Sequence, residues 1–264
     1  MSITGGSFQT CVVTLLIATF SLGIYPVRAE DASSVCDRLA SSPLDTSRPA
    51  GLAGVEQAQI DAAVAIPACT EAYERGAPSP RIVFQLARVF RKAGDVAKAK
   101  ALYLEASKAG HAVAMVNLAA MIEDSEPEQA LDWYRKSAEL GSALGQYNLG
   151  VAYQNGMGGP VDADKAIEFY RKALDQGDSF AAYNLAVLYD EGTLVDRDMV
   201  QAIKLYEVAV KGGNVDAMVN LAITLEKGDG VTADKAAALA LFEQAAALGD
   251  LEAVEQAARL RKAD

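Results

Sequence analysis

Residue types that most often carry out catalysis are sparse in this sequence. Its 264 residues include one histidine, His111, and three cysteines, so a Ser-His or Cys-His pair is improbable and most zinc sites would lack ligands. The sequence contains no G-x-S-x-G, H-E-x-x-H, S-x-x-K or C-x-x-C motif and no Walker A or dinucleotide glycine fingerprint. We therefore predict no catalytic residue, no metal and no cofactor, and we expect His111, which follows Gly110, to be an exposed turn residue.

Two other features resemble parts of active sites but have simpler explanations. Asp162 and Asp164 stand close together at the start of a predicted helix, where carboxylates cap free N–H groups and compensate the helix dipole. Gly156 to Gly159 form a glycine-rich stretch, but it connects two predicted helices without a preceding strand or a following Lys-Ser/Thr. Both features therefore fit a helical connection better than a reaction centre.

This glycine-rich connection between helices recurs, because residues 141–176, 177–212 and 213–248 repeat one pattern at an interval of 36 residues. The matching positions are YNLG, YNLA and VNLA from residues 147, 183 and 219, then Gly156, Gly192 and Gly228, then Asp162, Asp198 and Asp234, then Tyr170, Tyr206 and Phe242. A fixed period of this length is typical of a solenoid, in which each unit buries its apolar face against its neighbours.

Apolar residues within each unit recur at helical spacing on both sides of the glycine-rich turn. Each unit is therefore predicted to be two antiparallel helices, and the fold class is an all-α solenoid. Shorter versions of the pattern precede the three full units. We predict repeat units at about 79–109, 110–140, 141–176, 177–212 and 213–248, followed by a capping helix in 250–264 with a polar outer face.

The pattern from Ala143 to Gly177, A-x-x-x-Y-N-L-G-x-x-Y-x-x-G-x-G-x-x-x-D-x-x-K-A-x-x-x-Y-x-K-A-x-x-x-G, resembles the Sel1-like repeat, a relative of the tetratricopeptide repeat. The resemblance implies a right-handed α/α superhelix whose first helices line a concave groove. It implies a non-enzymatic scaffold that binds a protein or peptide. The alternative is a cell-wall enzyme or penicillin-binding protein, because some exported cysteine-rich Sel1-like proteins are linked to β-lactam chemistry; those carry a cysteine pair in each repeat, and these repeats carry none.

By the same resemblance, the residue before the leucine of each first helix faces the groove. These partner-binding candidates are Gln85, Asn117, Asn148, Asn184 and Asn220, with Tyr147 and Tyr183 beside them. An amide both donates and accepts, so the series could hold the backbone of an extended peptide. The alternative is that these amides bond to adjacent units or to their own helix. The mapping also makes the groove basic at one end, through Arg81, Arg88, Arg91 and Lys92, and acidic further along, at Glu123, Asp124, Asp190, Glu191 and Glu226.

The N-terminal part is predicted to direct export. Cys11 to Ile24 is a run of 14 mostly apolar residues, too short to span a bilayer, and Val27-Arg28-Ala29 resembles a cleavage site. Residues 1–29 are therefore predicted to be a signal peptide, with a retained anchor as the alternative, and the mature protein is expected in the periplasm or outside the cell without stable membrane insertion. The net charge of −11 disfavours nucleic acid as a partner.

Export makes a disulfide the expected state of the two remaining cysteines, Cys36 and Cys69. The alternatives are two reduced thiols or a metal pair. The bridge would tie together an N-terminal leader at 30–78, whose helix we expect to begin with Pro67 in its first turn and to run to about Arg75.

Overall fold

The computed structural model describes residues 31–263, so the predicted signal peptide lies outside the described residues. Regular structure in this part of the chain is helical throughout. The α-helices are α1 (Ala32–Ala40), α2 (Ala62–Glu74), α3 (Pro80–Lys92), α4 (Val96–Lys108), α5 (Ala112–Ile122), α6 (Pro127–Glu139), α7 (Ala143–Asn155), α8 (Ala163–Leu174), α9 (Ser179–Glu191), α10 (Met199–Lys211), α11 (Val215–Lys227), α12 (Lys235–Ala247) and α13 (Leu251–Ala263).

Helices α3 to α12 form five consecutive pairs, and the second helix of each pair also packs against the first helix of the next. Helix α13 packs on α12 and has no partner of its own within the described residues. This confirms the predicted α/α solenoid. We refer to α3, α5, α7, α9, α11 and α13 as the first helices.

The repeated polar residues shape each unit as their chemistry predicts. Asp162 and Asp198 cap α8 and α10, each accepting the N–H three residues on at 3.0 Å. Gly156 ends α7 with a φ of 68°, a left-handed conformation that glycine adopts without the steric cost of a side chain. Since the equivalent aspartate and glycine recur in the next two units, the sequence repeat becomes a repeat of turn geometry.

Large rings fill the space between helices at the repeated aromatic position. Tyr103, Tyr170 and Phe242 are wholly buried, and Tyr134 and Tyr206 are 2% and 1% exposed. Burying each ring contributes roughly 1.5 to 3 kcal/mol of apolar transfer free energy. The core is therefore a continuous row of side chains along the solenoid.

The leader is a hairpin of α1 and α2 that packs on α3. Cys36 and Cys69 form the disulfide between these two helices, and both are fully buried. The predicted start of α2 is wrong, because Asp61 caps the helix six residues before Pro67, accepting from Ala63 N and Val64 N. Pro67 and Ala63 lie on the exposed side of α2, so water can satisfy the Ala63 carbonyl that the proline leaves without its helical donor.

The polar outer face predicted for the capping helix α13 is only partly present. Arg259 forms a bidentate ion pair with Glu226, at 2.8 and 2.6 Å, and so ties α13 to α11. Leu251 and Val254, however, are 80% and 49% exposed. No following helix covers these two side chains in the described structure, so the end of the solenoid is less polar than the sequence pattern suggested.

Candidate interaction site on the first helices

The predicted groove residues occupy one face of successive first helices. Each asparagine of the series directly precedes a buried leucine and is itself half-buried. A neighbouring residue on a helix is rotated by about 100°, so the leucine points into the core while the asparagine lies at the boundary with solvent. The structure thus places Asn117, Asn148, Asn184 and Asn220 at equivalent positions along the solenoid.

The amide nitrogens of this series already have partners inside the solenoid. Asn184 Nδ2 donates to Tyr170 Oη at 3.2 Å and Asn220 Nδ2 to Tyr206 Oη at 3.3 Å, while those of Asn117 and Asn148 donate to carbonyls four residues earlier in their own helices. These contacts support the alternative in which the amides are structural. Binding of a partner through them remains a prediction.

The tyrosine hydroxyls extend these contacts across each unit. Tyr170 donates to Gln154 Oε1 at 2.6 Å, and Tyr206 donates to Asp190 Oδ2 at 3.0 Å. Burial is the main cause that raises the pKa of both tyrosines, so they stay neutral donors. In the last unit Phe242 has no hydroxyl, and the corresponding carboxylate, Glu226, pairs with Arg259 instead.

An aromatic strip runs over α7 and α9 beside the asparagines. The ring of Tyr147 lies 6.1 Å from that of Tyr170 and 6.2 Å from that of Phe180, and Tyr183 lies 6.2 Å from Tyr206. Burial raises the pKa of Tyr147 and of Tyr183. Phe180 is 58% exposed, and the sequence analysis missed it. Phe180 lies in the first turn of α9, one repeat interval of 36 residues after Leu144 in the first turn of α7, and this equivalence could have identified it from the sequence.

The leader covers the same face of the first unit. Gln85, the predicted first member of the amide series, is fully buried and donates to Asp37 Oδ1 at 2.8 Å and to Ser41 Oγ at 2.9 Å. Arg88 is 4% exposed and donates to the carbonyls of Ala40 and Val55, each at 2.6 Å. The prediction that these two residues line an open groove is therefore wrong.

Other basic side chains that were expected at one end of the groove also hold the leader or its neighbours. Arg81 pairs with Asp37 at 3.0 Å, and Lys92 Nζ donates to the carbonyl of Ala58 at 2.6 Å. Arg91 donates to Asn117 Oδ1 at 3.0 Å. The leader, which has no repeat pattern, thus takes up Arg81, Arg88 and Lys92, whereas Arg91 is exposed and contacts α5, so the predicted basic end is only partly free.

His111 is buried, contrary to the expected exposed turn residue. It caps α5 through Nδ1, which accepts from Ala114 N at 3.2 Å, and its ring stacks on Phe84 with centroids 4.4 Å apart. Nδ1 must be unprotonated to accept, so Nε2 carries the hydrogen. Nε2 lies 3.3 Å from Asp45 Oδ2, on the leader.

The contacts of His111 do not form a catalytic triad. Ser47 Oγ lies 3.4 Å from His111 Nε2 and donates to Asp45 Oδ1 at 2.7 Å. A triad needs the serine and the carboxylate on different ring nitrogens, whereas here both are on Nε2. Burial by itself raises the pKa of Asp45. Hydrogen bonds with His111 and Ser47 together lower it by more, so the net pKa lies below the ordinary value of 3.8.

A cavity of about 710 Å³ opens where the leader meets the starts of α3, α5, α7 and α9. Arg81, His111 and Asp178 supply polar groups in its wall, and Leu44 and Leu140, which are 60% and 57% exposed, supply apolar surface at the rim. Residues 31–263 contain no cluster of three or more His, Cys, Asp or Glu side chains suited to a metal ion. None of the helices in the same range has the length and apolar character needed to cross a membrane.

Solved structures that are similar to this one include two with TM-scores above 0.6. A Sel1 repeat protein from Oxalobacter formigenes has 26% sequence identity and a TM-score of 0.61, over 66% of this chain and 73% of that protein. A protective antigen of uropathogenic Escherichia coli, c5321, which displays the same repeat fold, has 26% identity and a TM-score of 0.65 over 78% of this chain and 45% of that one.

Sequence comparisons agree with the structural ones. An F-box protein of Arabidopsis thaliana is 42% identical over 57 residues, which are 21% of this chain and only 16% of that protein. The family model for the Sel1 repeat matches residues 87–111, 112–142, 143–178, 179–214 and 215–250. These five matches cover more than half of the sequence, and this protein therefore belongs to the Sel1 repeat family.

Proposed function

We propose that this protein is an exported, non-enzymatic scaffold that binds an extended segment of a partner protein along the first helices from α5 onward. The observation that carries the proposal is the leader itself. Side chains of α3 hold the leader by donating to its main-chain carbonyls at 2.6 Å, from Arg88 to Ala40 at the end of α1 and to Val55 in the connecting chain, and from Lys92 to Ala58 in a 3-10 turn. Main-chain recognition of this kind accepts many sequences, and nearby side-chain contacts then provide selectivity.

The aromatic strip, which is exposed at Phe180 and half-buried at Tyr147 and Tyr183, supports a binding role for the later units. Tyr147, Phe180 and Tyr183 offer apolar surface on the same helices as the asparagine series. Aromatic side chains provide large contact areas at low entropic cost and dominate many interfaces. We therefore place the partner's apolar side chains on this strip and its backbone along the asparagines.

Export and a periplasmic or secreted location remain part of the proposal. The predicted signal peptide at residues 1–29 supports them, and so does the buried disulfide of Cys36 and Cys69, since disulfides persist in oxidising compartments. Fractionation of the host cell with an epitope at the C-terminus tests this point, and recovery in the cytoplasm with Cys36 and Cys69 both reduced would contradict it.

Loss of partner capture tests the groove. Phe180→Glu replaces an exposed ring, so it should leave the fold intact while placing a charge on the strip. Val208→Glu is a matched control, because Val208 is 42% exposed on the second helix α10. We expect wild type and the Val208 variant to recover the same protein from the host envelope and the Phe180 variant to lose it. Equal recovery by all three proteins would refute binding at the strip.

A further inference from the structure

The asparagine series has a companion row of side chains on the first helices from α5 to α13. Each member of this row stands four residues before the amide residue of its own helix, so the two side chains lie on the same face of the helix. The amide residues are Asn117, Asn148, Asn184, Asn220 and, on α13, Gln256, and the row consists of Val113, Leu144, Phe180, Asp216 and Glu252. The row is therefore apolar on α5, α7 and α9 and acidic on α11 and α13.

The two carboxylates of the row are free to meet a ligand. Asp216 and Glu252 are exposed, and neither side chain forms a hydrogen bond or an ion pair with any residue in 31–263. Helices α5, α7, α9 and α11 together contain a single lysine or arginine, Lys227 in the last turn of α11. The cations of α13 lie seven or more residues beyond Glu252, which is at least about 10 Å along the helix.

Helix formation by itself does not require these two carboxylates. Each lies in the first turn of its helix, where an acid offsets the helix dipole. Helices α7 and α9, however, carry Leu144 and Phe180 at the same position and still extend over 13 residues each. Other side chains cap α11 and α13, Asn214 at 2.8 Å and Asp250 at 2.7 Å. The charges of the row therefore have no structural partner that accounts for them.

Negative charge also acts on the aromatic strip. Burial is the main cause that raises the pKa of Tyr147 and of Tyr183. The charge of Asp178 adds to this effect at Tyr147, and the charges of Asp216 and Glu191 add to it at Tyr183. None of these three carboxylates pairs with a cation in the part of the chain that the structure describes.

Positive charge is concentrated on the second helices instead. Helices α6, α8 and α10 carry seven lysines and arginines against six acids. The cations are Arg135, Lys136, Lys165, Arg171, Lys172, Lys204 and Lys211, and the acids are Glu128, Asp132, Glu139, Asp164, Glu168 and Glu207. Arg197, in the turn after α9, pairs with Asp190 and Asp229, at 3.5 and 2.6 Å. The unpaired acids of the row are therefore a local feature of the first helices, beside second helices that are nearly neutral.

We propose that the groove binds a segment of the partner that is apolar at one end and basic at the other. The apolar end lies over α5, α7 and α9, where Val113 and Leu144 line the cavity of about 710 Å³ and Phe180 is exposed. The basic end lies over α11 and α13, where its lysines or arginines meet Asp216 and Glu252. Opposite charges attract such a segment and repel an acidic one. The inference rests on the proposed function, because it assigns a class of partner to the same groove.

Fluorescence anisotropy with labelled peptides tests the charge of the partner. The basic peptide is Leu-Phe-Ser-Leu-Phe-Ser-Lys-Arg-Ser-Lys-Arg, and the acidic peptide has Glu and Asp in place of Lys and Arg. Each is also measured with its sequence reversed, so that both chain directions are covered. We expect saturable binding of the basic peptide in at least one direction, and binding of the acidic peptides that is weaker by about tenfold or more.

Replacing Asp216 by Asn together with Glu252 by Gln should weaken binding of the basic peptide about fivefold, the effect of losing two exposed ion pairs. Binding to this variant should also depend less on salt. The matched control replaces Glu128 by Gln and Asp164 by Asn, and so removes two exposed first-turn acids from the second helices α6 and α8. Its net charge changes equally, and it should bind as wild type does. Circular dichroism should show the same helix content in all three proteins.

Three results would overturn the inference. These are the absence of saturable binding of the basic peptide in both directions, equal affinity for the basic and acidic peptides, and equal weakening in the two double variants. Phe180→Ser separates this inference from the proposed function, because it removes the ring of the strip without adding a charge. If basic and acidic peptides bind equally and both are lost in the Phe180 variant, the groove binds segments without selecting charge. If the basic peptide binds wild type and this variant equally, binding lies outside the strip and the proposed function fails as well.

Discussion

Replacing Arg88 by methionine should weaken the attachment of the leader to α3. The guanidinium donates to the carbonyls of Ala40 and Val55, both at 2.6 Å, and Nε donates to Gln57 Oε1 at 3.2 Å. Hydrogen bonds to a charged group contribute roughly 1.5 to 3 kcal/mol each. Methionine keeps most of the volume but leaves two main-chain carbonyls without donors.

The net effect is smaller than the sum of the lost bonds, because methionine removes the cost of burying a charge. That cost is visible in the native protein, where burial lowers the pKa of Arg88. We therefore expect the variant to lose about 2 to 4 kcal/mol in the free energy of unfolding, taking the bonds at about 1.5 to 3 kcal/mol each. Amide hydrogens of residues 41–59 should also exchange faster.

Urea denaturation and hydrogen exchange measure these two effects. Arg91→Met is the matched control, because Arg91 is exposed and contacts no leader carbonyl, donating instead to Asn117 of α5; it should cost less than about 1 kcal/mol. The reasoning is refuted if the two variants have equal stability and leader exchange is unchanged in both.

Three further predictions concern other contacts. Replacing Cys36 and Cys69 together by alanine should lower the free energy of unfolding by ~3 to 4 kcal/mol by the chain-entropy relation, as measured by urea denaturation. The native mature protein should show no free thiol, and two reactive thiols would contradict the disulfide. Because native contacts lower the pKa of Asp45, the stabilisation from its ionised carboxylate is present above the unfolded-state pKa of about 3.9 and is lost as the pH falls through the lowered native pKa. The stability of wild type should approach that of Asp45→Asn as the pH falls, and a constant difference would contradict this. Tyr206→Phe should cost about 1 to 2 kcal/mol, because Asp190 Oδ2 loses the tyrosine donor and Asn220 Nδ2 loses its acceptor. A thermal midpoint equal to wild type would show that these bonds contribute nothing.

The repeat architecture could be predicted from the sequence because its causes are local and recur. Helical spacing, a glycine that ends the first helix, and an aspartate that caps the second appear at a fixed interval, and each acts within a few residues of its own position. Asp162, Asp198 and Asp234 all cap helices in the structure. The same local reasoning was correct for the buried aromatic positions.

The leader contacts could not be predicted because they join residues far apart in sequence that follow no pattern. Gln85 reaches Asp37 across 48 residues, and His111 reaches Asp45 across 66. Judged from its neighbours alone, His111 is a turn residue after a glycine, and Arg88 is a charged residue on a helix. Only the path of the leader over α3 and α5 shows that both side chains are buried.

The most direct measurement of the central claim is site-specific photo-crosslinking in the native host. A photoreactive phenylalanine analogue would replace Phe180 on the strip, Gln85 under the leader, or Val208 on α10. We expect one crosslinked partner protein from position 180, an internal crosslink to the leader from position 85, and no partner from position 208. A partner crosslinked from position 208 but not from position 180 would contradict the account.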